Sequence, residues 1–301
     1  MSKTAVIVVH YKNEKDTYEC LESLYKNSSP VNYLTIMIAT QTSDKFLSQI
    51  KNHFSKIIIV TLNENIGFAA SVNRGLKEAI EKNCEYMILL NNDVLVGKNL
   101  VGKMIHFAEK NSLVGIVSPK IYFAPKYEFH NNRYKEEDRG KIIWYAGGLI
   151  DWANIYAFHR GVNEVDIGQY DETVETDFAT GCCMLIKKQV IDKIGFFDEK
   201  YFLYFEDVDY SVRAKKSGFQ VDYYSGAFLW HKNASSSGKP GSYIHVYYQT
   251  RNRLYFGFKY ASIKAKKSLL IDSFRCILKG NIQKKAVLDY YFLGKMGEGS
   301  L

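Results

Sequence analysis

The chain has 301 residues, 47% of them apolar and 24% charged, enough for a sizeable core in one large domain or two small ones, so it reads as a globular protein. Its formal charge is +8, but nine Lys/Arg against three Asp/Glu from Tyr255 onward put +6 of that in the tail. The nearly neutral body argues against a nucleic-acid-binding surface spread over the fold.

In chain order, the start "MSKTAVIVVHY" holds an apolar run of five residues. That is too short for a signal-peptide core or a membrane span, and no later run approaches about 18. The five cysteines, Cys20, Cys84, Cys182, Cys183 and Cys276, form no CxxC pair and no His-spaced set. A zinc site and a disulfide framework are therefore not indicated, and a reducing, cytoplasmic location is expected.

"AVIVVHY" predicts a strand, "DTYECLESLYKN" an amphipathic helix, "YLTIMIAT" a strand, "DKFLSQIKNHF" a helix, "KIIIVTL" a strand, "FAASVNRGLKEAIEKN" a helix and "YMILLNND" a strand. Strands apolar on both faces and alternating with helices predict an α/β fold whose parallel sheet is covered by helices. Ile121 to Tyr170 breaks the pattern and is expected to be a mobile, substrate-facing insertion. "FATGCCMLIKK" and "AFLWH" predict late strands. From about Tyr255 the chain reads as helical and basic, with no internal repeat.

Sheets of this kind bind ligands at the carboxyl ends of their strands. There "YMILLNNDV" stops at Asn91, Asn92 and Asp93, where a carboxylate flanked by amides can hold a hard divalent cation; an Asx turn is the alternative. After the third strand, Gly67, Ala69 and Ala70 would let backbone N–H groups approach a phosphate, or would merely pack a helix. "GKNLVGK" lacks the hydroxyl residue of a P-loop at Met104. His231 ends the "AFLWH" strand before a flexible glycine- and serine-rich loop, as a metal ligand or as a hydrogen-bonded ring. Arg251 and Arg253 suit a diphosphate, with solvated charge as the alternative. In "YFLYFEDVDYSVRAKKSGF", Glu206, Asp207 and Asp209 follow an aromatic block at a helix start, where acids also serve as caps. Asp209 and Arg213 stand four apart on one face.

In this order, "NENIGFAASVNRG", "LLNNDV", "ATGCCMLIKK", "GFFDEKYFLYFEDVDYSVRAKKSGF", "WHKNASSSG" and "YYQTRNRLYF" resemble the inverting family 2 glycosyltransferases, especially their rhamnosyltransferase-like branch, from about Val6 to Phe256. The resemblance implies a GT-A fold: a mixed, mainly parallel central sheet flanked by helices, with a helical C-terminal extension. It implies a domain over 1–255, with a donor-binding half of about 1–120 and an acceptor-side half of about 121–255, then a basic helical segment over 256–301. The activity implied is metal-dependent transfer of a sugar, rhamnose or a hexose, from a nucleoside-diphosphate donor to a glycan or lipid-linked acceptor in surface polysaccharide synthesis.

Carried over by position, the resemblance makes Asp93 the metal-binding acid for Mg or Mn, with Asn91 in place of the motif's first acid and His231 as a further contact. It makes Asp207, paired with Glu206, the catalytic base, and assigns donor contacts to Asn65, Gly67, Asn73, Arg74, Asn92 and Arg251. The aromatic block would shape the acceptor pocket. Two departures stand out: Ala39 replaces the Asp that contacts the nucleotide base, and His10 stands where Asn is common. Ala39 motivates the second reading, a non-catalytic nucleotide- or carbohydrate-binding relative of the same fold. The tail mixes Phe, Leu and Ile with lysines, as expected of a helix lying on an anionic membrane's inner face or packed on its own domain.

Overall fold

The computed structural model describes residues 3–27, 32–233 and 241–293. The serine-rich loop expected after His231 lies at 234–240, outside the described residues, as does the tail beyond 293.

The first half alternates as the periodicity predicts: β1 (Thr4–Tyr11), α1 (Glu14–Asn27), β2 (Leu34–Thr40), α2 (Asp44–His53), β3 (Ile57–Leu62), α3 (Phe68–Glu81) and β4 (Tyr86–Asn91). Then follow β5 (Val94–Val96), α4 (Leu100–Lys110), β6 (Val114–Phe123), β7 (Ile143–Tyr145), β8 (Gly148–Asp151), β9 (Tyr156–His159), β10 (Val174–Glu175) and β11 (Cys183–Lys187). The chain continues through α5 (Lys188–Ile194), α6 (Glu206–Lys216), β12 (Gln220–His231), α7 (Tyr243–Tyr260), α8 (Ile263–Lys279) and α9 (Ile282–Leu288).

The main sheet runs β10-β12-β6-β11-β4-β1-β2-β3. β3, β2, β1 and β4 are parallel to one another, whereas β11 is antiparallel to both β4 and β6. The sheet is thus mixed and largely parallel, as expected. Its two faces build separate cores. Val6, Val8, Met37, Ile88 and Leu90 pack with Leu21, Leu24, Ile50 and Val101 on one side. Ala5, Ile7, Ile36, Ile38, Met87 and Leu89 pack with Val72, Leu76, Val190 and Tyr210 on the other. Alternate residues of one strand therefore serve opposite layers, and each fully buried Val, Ile or Leu contributes about 2 kcal/mol. Gly75 lets α3 approach closely: a Cβ there would lie 2.3 Å from Ile7 Cγ2.

Three expectations change. The stretch 121–170 is part of the body, because β7 pairs with β6 and Tyr145 is fully buried; the charges of "YKEEDRGK" had masked those apolar positions. The strand of "FATGCCMLIKK" begins only at Cys183, since Phe178 bridges to Gly148 and residues 181 and 182 form a turn. The helix α7 crosses residue 255 without a break, and Tyr255 Oη donates to Asp198 at 2.9 Å, so the helical extension grows out of the body.

Candidate functional site

From β1 the chain builds outward to β2 and β3, then returns to place β4 on the other side of β1. That reversal opens a crevice at the carboxyl ends of β1 and β4. A cavity of about 730 Å³ occupies it, lined by the β1 end, the Asn91–Asp93 turn, the Thr180–Cys182 loop, residues 202–208 and one side of α7.

Asp93 sits in the tight turn between β4 and β5. The same turn also positions a second donor. β5 pairs antiparallel with β12, setting His231 opposite Val94, and Lys232 N donates to Asp93 O at 2.8 Å. His231 Nε2 then stands 3.1 Å from Asp93 Oδ1, both groups buried, with Trp144 edge-on to the imidazole at 4.5 Å. His231 Nδ1 is buried without a partner among the described residues. Asn92 donates to Thr17 Oγ1 at 2.8 Å, and His10 Nδ1 shares that hydroxyl at 2.6 Å. Burial lowers His10 to about 4, so its ring is neutral. His10 pairs in register with Ala39 of β2.

A cation fits this corner. Two ligands at right angles on an ion with bonds of about 2.1 Å stand about 3 Å apart, the spacing of these donors. Among the described lining residues, Asp93, Glu206 and Asp207 face a single lysine, Lys12, so a diphosphate entering here needs a positive partner. Carboxylate and imidazole, with water and phosphate oxygens completing the shell, suit Mg²⁺ or Mn²⁺. No group of three or more His, Cys, Asp or Glu that could hold a metal occurs among the described residues.

The three acids after the aromatic block divide their roles. Asp209 is fully buried: its Oδ1 accepts from Lys259 at 2.7 Å, Tyr260 at 2.8 Å and Tyr201 at 3.1 Å, and its Oδ2 from Arg213 at 2.7 Å. It ties α6 to α7. Glu206 is buried in the cavity wall with Oε2 unpartnered among the described residues, and burial together with the charge of Asp207 raises its pKa well above the usual range. Asp207 is half-buried. Its Oδ2 accepts the Gly181 N–H and its Oδ1 the Val208 N–H, both at 2.8 Å. Burial raises its pKa, and the two N–H bonds oppose the rise. Glu206 is therefore the member of the pair that keeps a proton longer.

The aromatic block itself is a strained turn. Phe202, Tyr204 and Phe205 have φ of 62°, 69° and 72°, a region that costs bulky residues about 1 kcal/mol or more each. Leu203 N donates to Tyr201 O at 2.7 Å, closing a γ-turn of the rarer, strained hand over Phe202. Two α7 side chains hold it. Asn252 Nδ2 reaches the carbonyls of Tyr201, Leu203 and Tyr204 at 2.7 to 2.8 Å, while Arg251 donates to Asn252 Oδ1 at 3.0 Å and to Tyr201 O at 2.9 Å.

Arg251 is thus no diphosphate grip: it is fully buried and engaged with backbone. Arg253 likewise turns to Asn154 O, at 2.7 Å, and to Asp272. Asn73 is buried and pins Phe197, accepting its N–H and donating to its carbonyl, both at 2.9 Å. Arg74 is exposed on α3 and, like Asn73 and Arg251, is absent from the cavity lining. Asn65 and Gly67 do line it, but Asn65 Oδ1 accepts the Gly67 N–H and Phe202 O accepts the Phe68 N–H. Those two N–H groups are therefore occupied, and Gly67 is required because a Cβ would collide with Phe202 at 2.6 Å. Asn252 and Gly181 were missed from the sequence, since side-chain-to-turn and backbone bonds leave no periodic signal.

The sequence profile described as "Glycosyltransferase like family 2" matches residues 2–257. Among curated proteins, the chain is 22% identical over 250 residues to the low-salt glycan biosynthesis hexosyltransferase Agl10 of Haloferax volcanii, covering 83% of this chain and 73% of that one. It is 23% identical over 211 residues to the N-acetylglucosaminyl-diphospho-decaprenol L-rhamnosyltransferase of Mycobacterium tuberculosis, covering 65% and 66%. Among solved structures, GalNAc-T7 with UDP, GalNAc and Mn²⁺ superposes with a TM-score of 0.66 at 15% identity, over 96% of this chain and 54% of that one. That likeness concerns the fold, which is GT-A. With the profile spanning most of its length, the chain belongs to glycosyltransferase family 2.

Proposed function

We propose that this glycosyltransferase is a metal-dependent inverting enzyme. It would move a sugar, rhamnose or a hexose, from a nucleoside-diphosphate donor to a hydroxyl of a glycan or lipid-linked acceptor in surface polysaccharide synthesis. The observation that carries this reading is Asp207, a carboxylate oriented by two backbone N–H groups in the wall of the cavity that also holds the Asp93–His231 pair. Similarity to proteins named for hexosyl and rhamnosyl transfer supports the donor class.

Asp93 and His231 would hold a divalent cation, which when bound neutralises the charge that develops on the departing diphosphate. Asp207 accepts the proton of the acceptor hydroxyl as that oxygen attacks the anomeric carbon. The carbon–oxygen bond to the diphosphate breaks on the opposite side, and one displacement inverts the centre. Glu206 shapes the pair and holds its own proton. Phe129 and Phe158, exposed at the cavity mouth, suit the apolar faces of sugar rings. The five cysteines are unpaired, which fits the reducing cytoplasmic side of a membrane.

The testing experiment is calorimetric titration with UDP, dTDP and GDP, each with and without Mn²⁺. Metal-dependent binding of one nucleotide is the expected result and identifies the donor class despite Ala39. Failure of all three to bind would favour the non-catalytic reading.

A further inference from the structure

The helix α8 is apolar on two sides. Its inner side buries Ala265, Leu269 and Ser273, with Leu269 seated on Gly257 of α7. On its outer side Ile263, Leu270, Ile271, Phe274 and Leu278 are 50 to 77% exposed. At about 100° per residue these five fall within an arc of about 100°. Single exposed apolar residues are ordinary, but a contiguous stripe of this kind marks an interaction surface.

Charge identifies the occupant. Lys267 lies within the apolar arc, and Lys264, Lys266 and Arg275 border it. The only acid of α8, Asp272, lies on the far side and is paired with Arg253 and Arg275 at 3.3 and 3.2 Å. Asp289 is buried against Tyr247 Oη. A second copy of the chain meeting this face with its own would therefore bring lysines onto lysines, with no carboxylate between them among the described residues. No helix among the described residues is long and apolar enough to cross a membrane. An apolar face bordered by lysines on a helix that cannot span is the pattern of one lying in a bilayer interface.

We propose that the outer face of α8 docks this enzyme on an anionic lipid surface. The inference goes beyond the donor-site reading and stands on residues remote from the cavity, so either can fail alone. The test is co-sedimentation of the full chain with phosphatidylglycerol-containing vesicles and with pure phosphatidylcholine vesicles. Binding to the anionic vesicles, weakened several-fold by salt, is expected. A Phe274→Glu/Leu278→Glu variant, altered only at exposed positions and checked for unchanged Tm, should bind at least about tenfold more weakly. A Lys264→Glu/Lys267→Glu variant should lose the preference for anionic lipid. Absence of vesicle binding, or equal binding by the apolar-face variant, overturns the proposal. So does a dimer that the same variant dissociates without any vesicle binding, which would make a second copy the occupant.

Discussion

The backbone N–H of Gly181 meets Asp207 Oδ2 at 2.8 Å, joining the loop before β11 to the first turn of α6. The bond fixes one carboxylate oxygen while the neighbouring Val208 N–H fixes the other. Each oxygen keeps a further acceptor site, so Asp207 is held in place without being used up.

Replacing Asp207 with Asn keeps the shape and removes the proton acceptor. Transfer should fall by about 10²- to 10⁴-fold in kcat, with the Kd for the donor nucleotide unchanged. Parallel turnover and calorimetric measurements check this, and retained turnover would exclude the base role. The same carboxylate fixes the acid limb of the pH profile. Because burial raises its pKa, kcat/KM should fall on acidification at a pH above the ordinary Asp value of about 3.9.

Asp93→Ala removes one of the two donors at the cation corner. Nucleotide affinity in Mn²⁺ should drop by about 10- to 100-fold, the usual cost of damaging a metal site. Affinity measured in EDTA should be equal for the two proteins. If Asp93 served only to close its turn, the Mn²⁺-dependent part of binding would survive the substitution.

Asn252→Ala should act through the strained turn. Its amide serves three carbonyls with two protons, and Arg251 fixes which way the amide points. Losing these buried bonds should cost about 3 kcal/mol of unfolding free energy, read by urea denaturation. It should also lower kcat more than nucleotide affinity, since the turn carries Glu206 and Asp207. A loss of stability with kcat intact would make the turn purely structural.

These residues also mark how far the sequence could be read. The strands β1 to β4 were legible because Val6, Ile7 and Val8 must be apolar on both faces of a covered sheet, and Asp93 because an apolar run ends abruptly there. The partnership of Asp93 with His231, 138 positions apart, depends on the β5–β12 pairing, and β5 is too short to show a period. Arg251 was misread because an arginine beside aromatic residues has the same local signature whether it binds phosphate or backbone. Burial separates the two uses, and burial is a property of the whole fold. Asn73 follows the same logic: it lies buried off the cavity and its partner is Phe197.

Glu206 gives the last prediction, a stability that depends on pH. Burial and the charge of Asp207 raise its folded pKa well above that of the unfolded chain, which is about 4.3 for a glutamate. Between those two values the native state binds more protons than the unfolded state, so the contribution of Glu206 to stability falls as pH rises through the window. Glu206→Gln carries no proton to lose and removes the charge that would be buried beside Asp207. Its gain in unfolding free energy should be absent below about pH 4, appear as pH rises past the unfolded value, and level off above the folded one. Urea denaturation of both proteins at pH 4 and pH 8 measures this directly. A gain of the same size at both pH values would mean that packing, and not the titration of Glu206, separates the two proteins. A loss at pH 8 would mean that the carboxylate is ionised and satisfied in the folded state, contrary to its unpartnered Oε2.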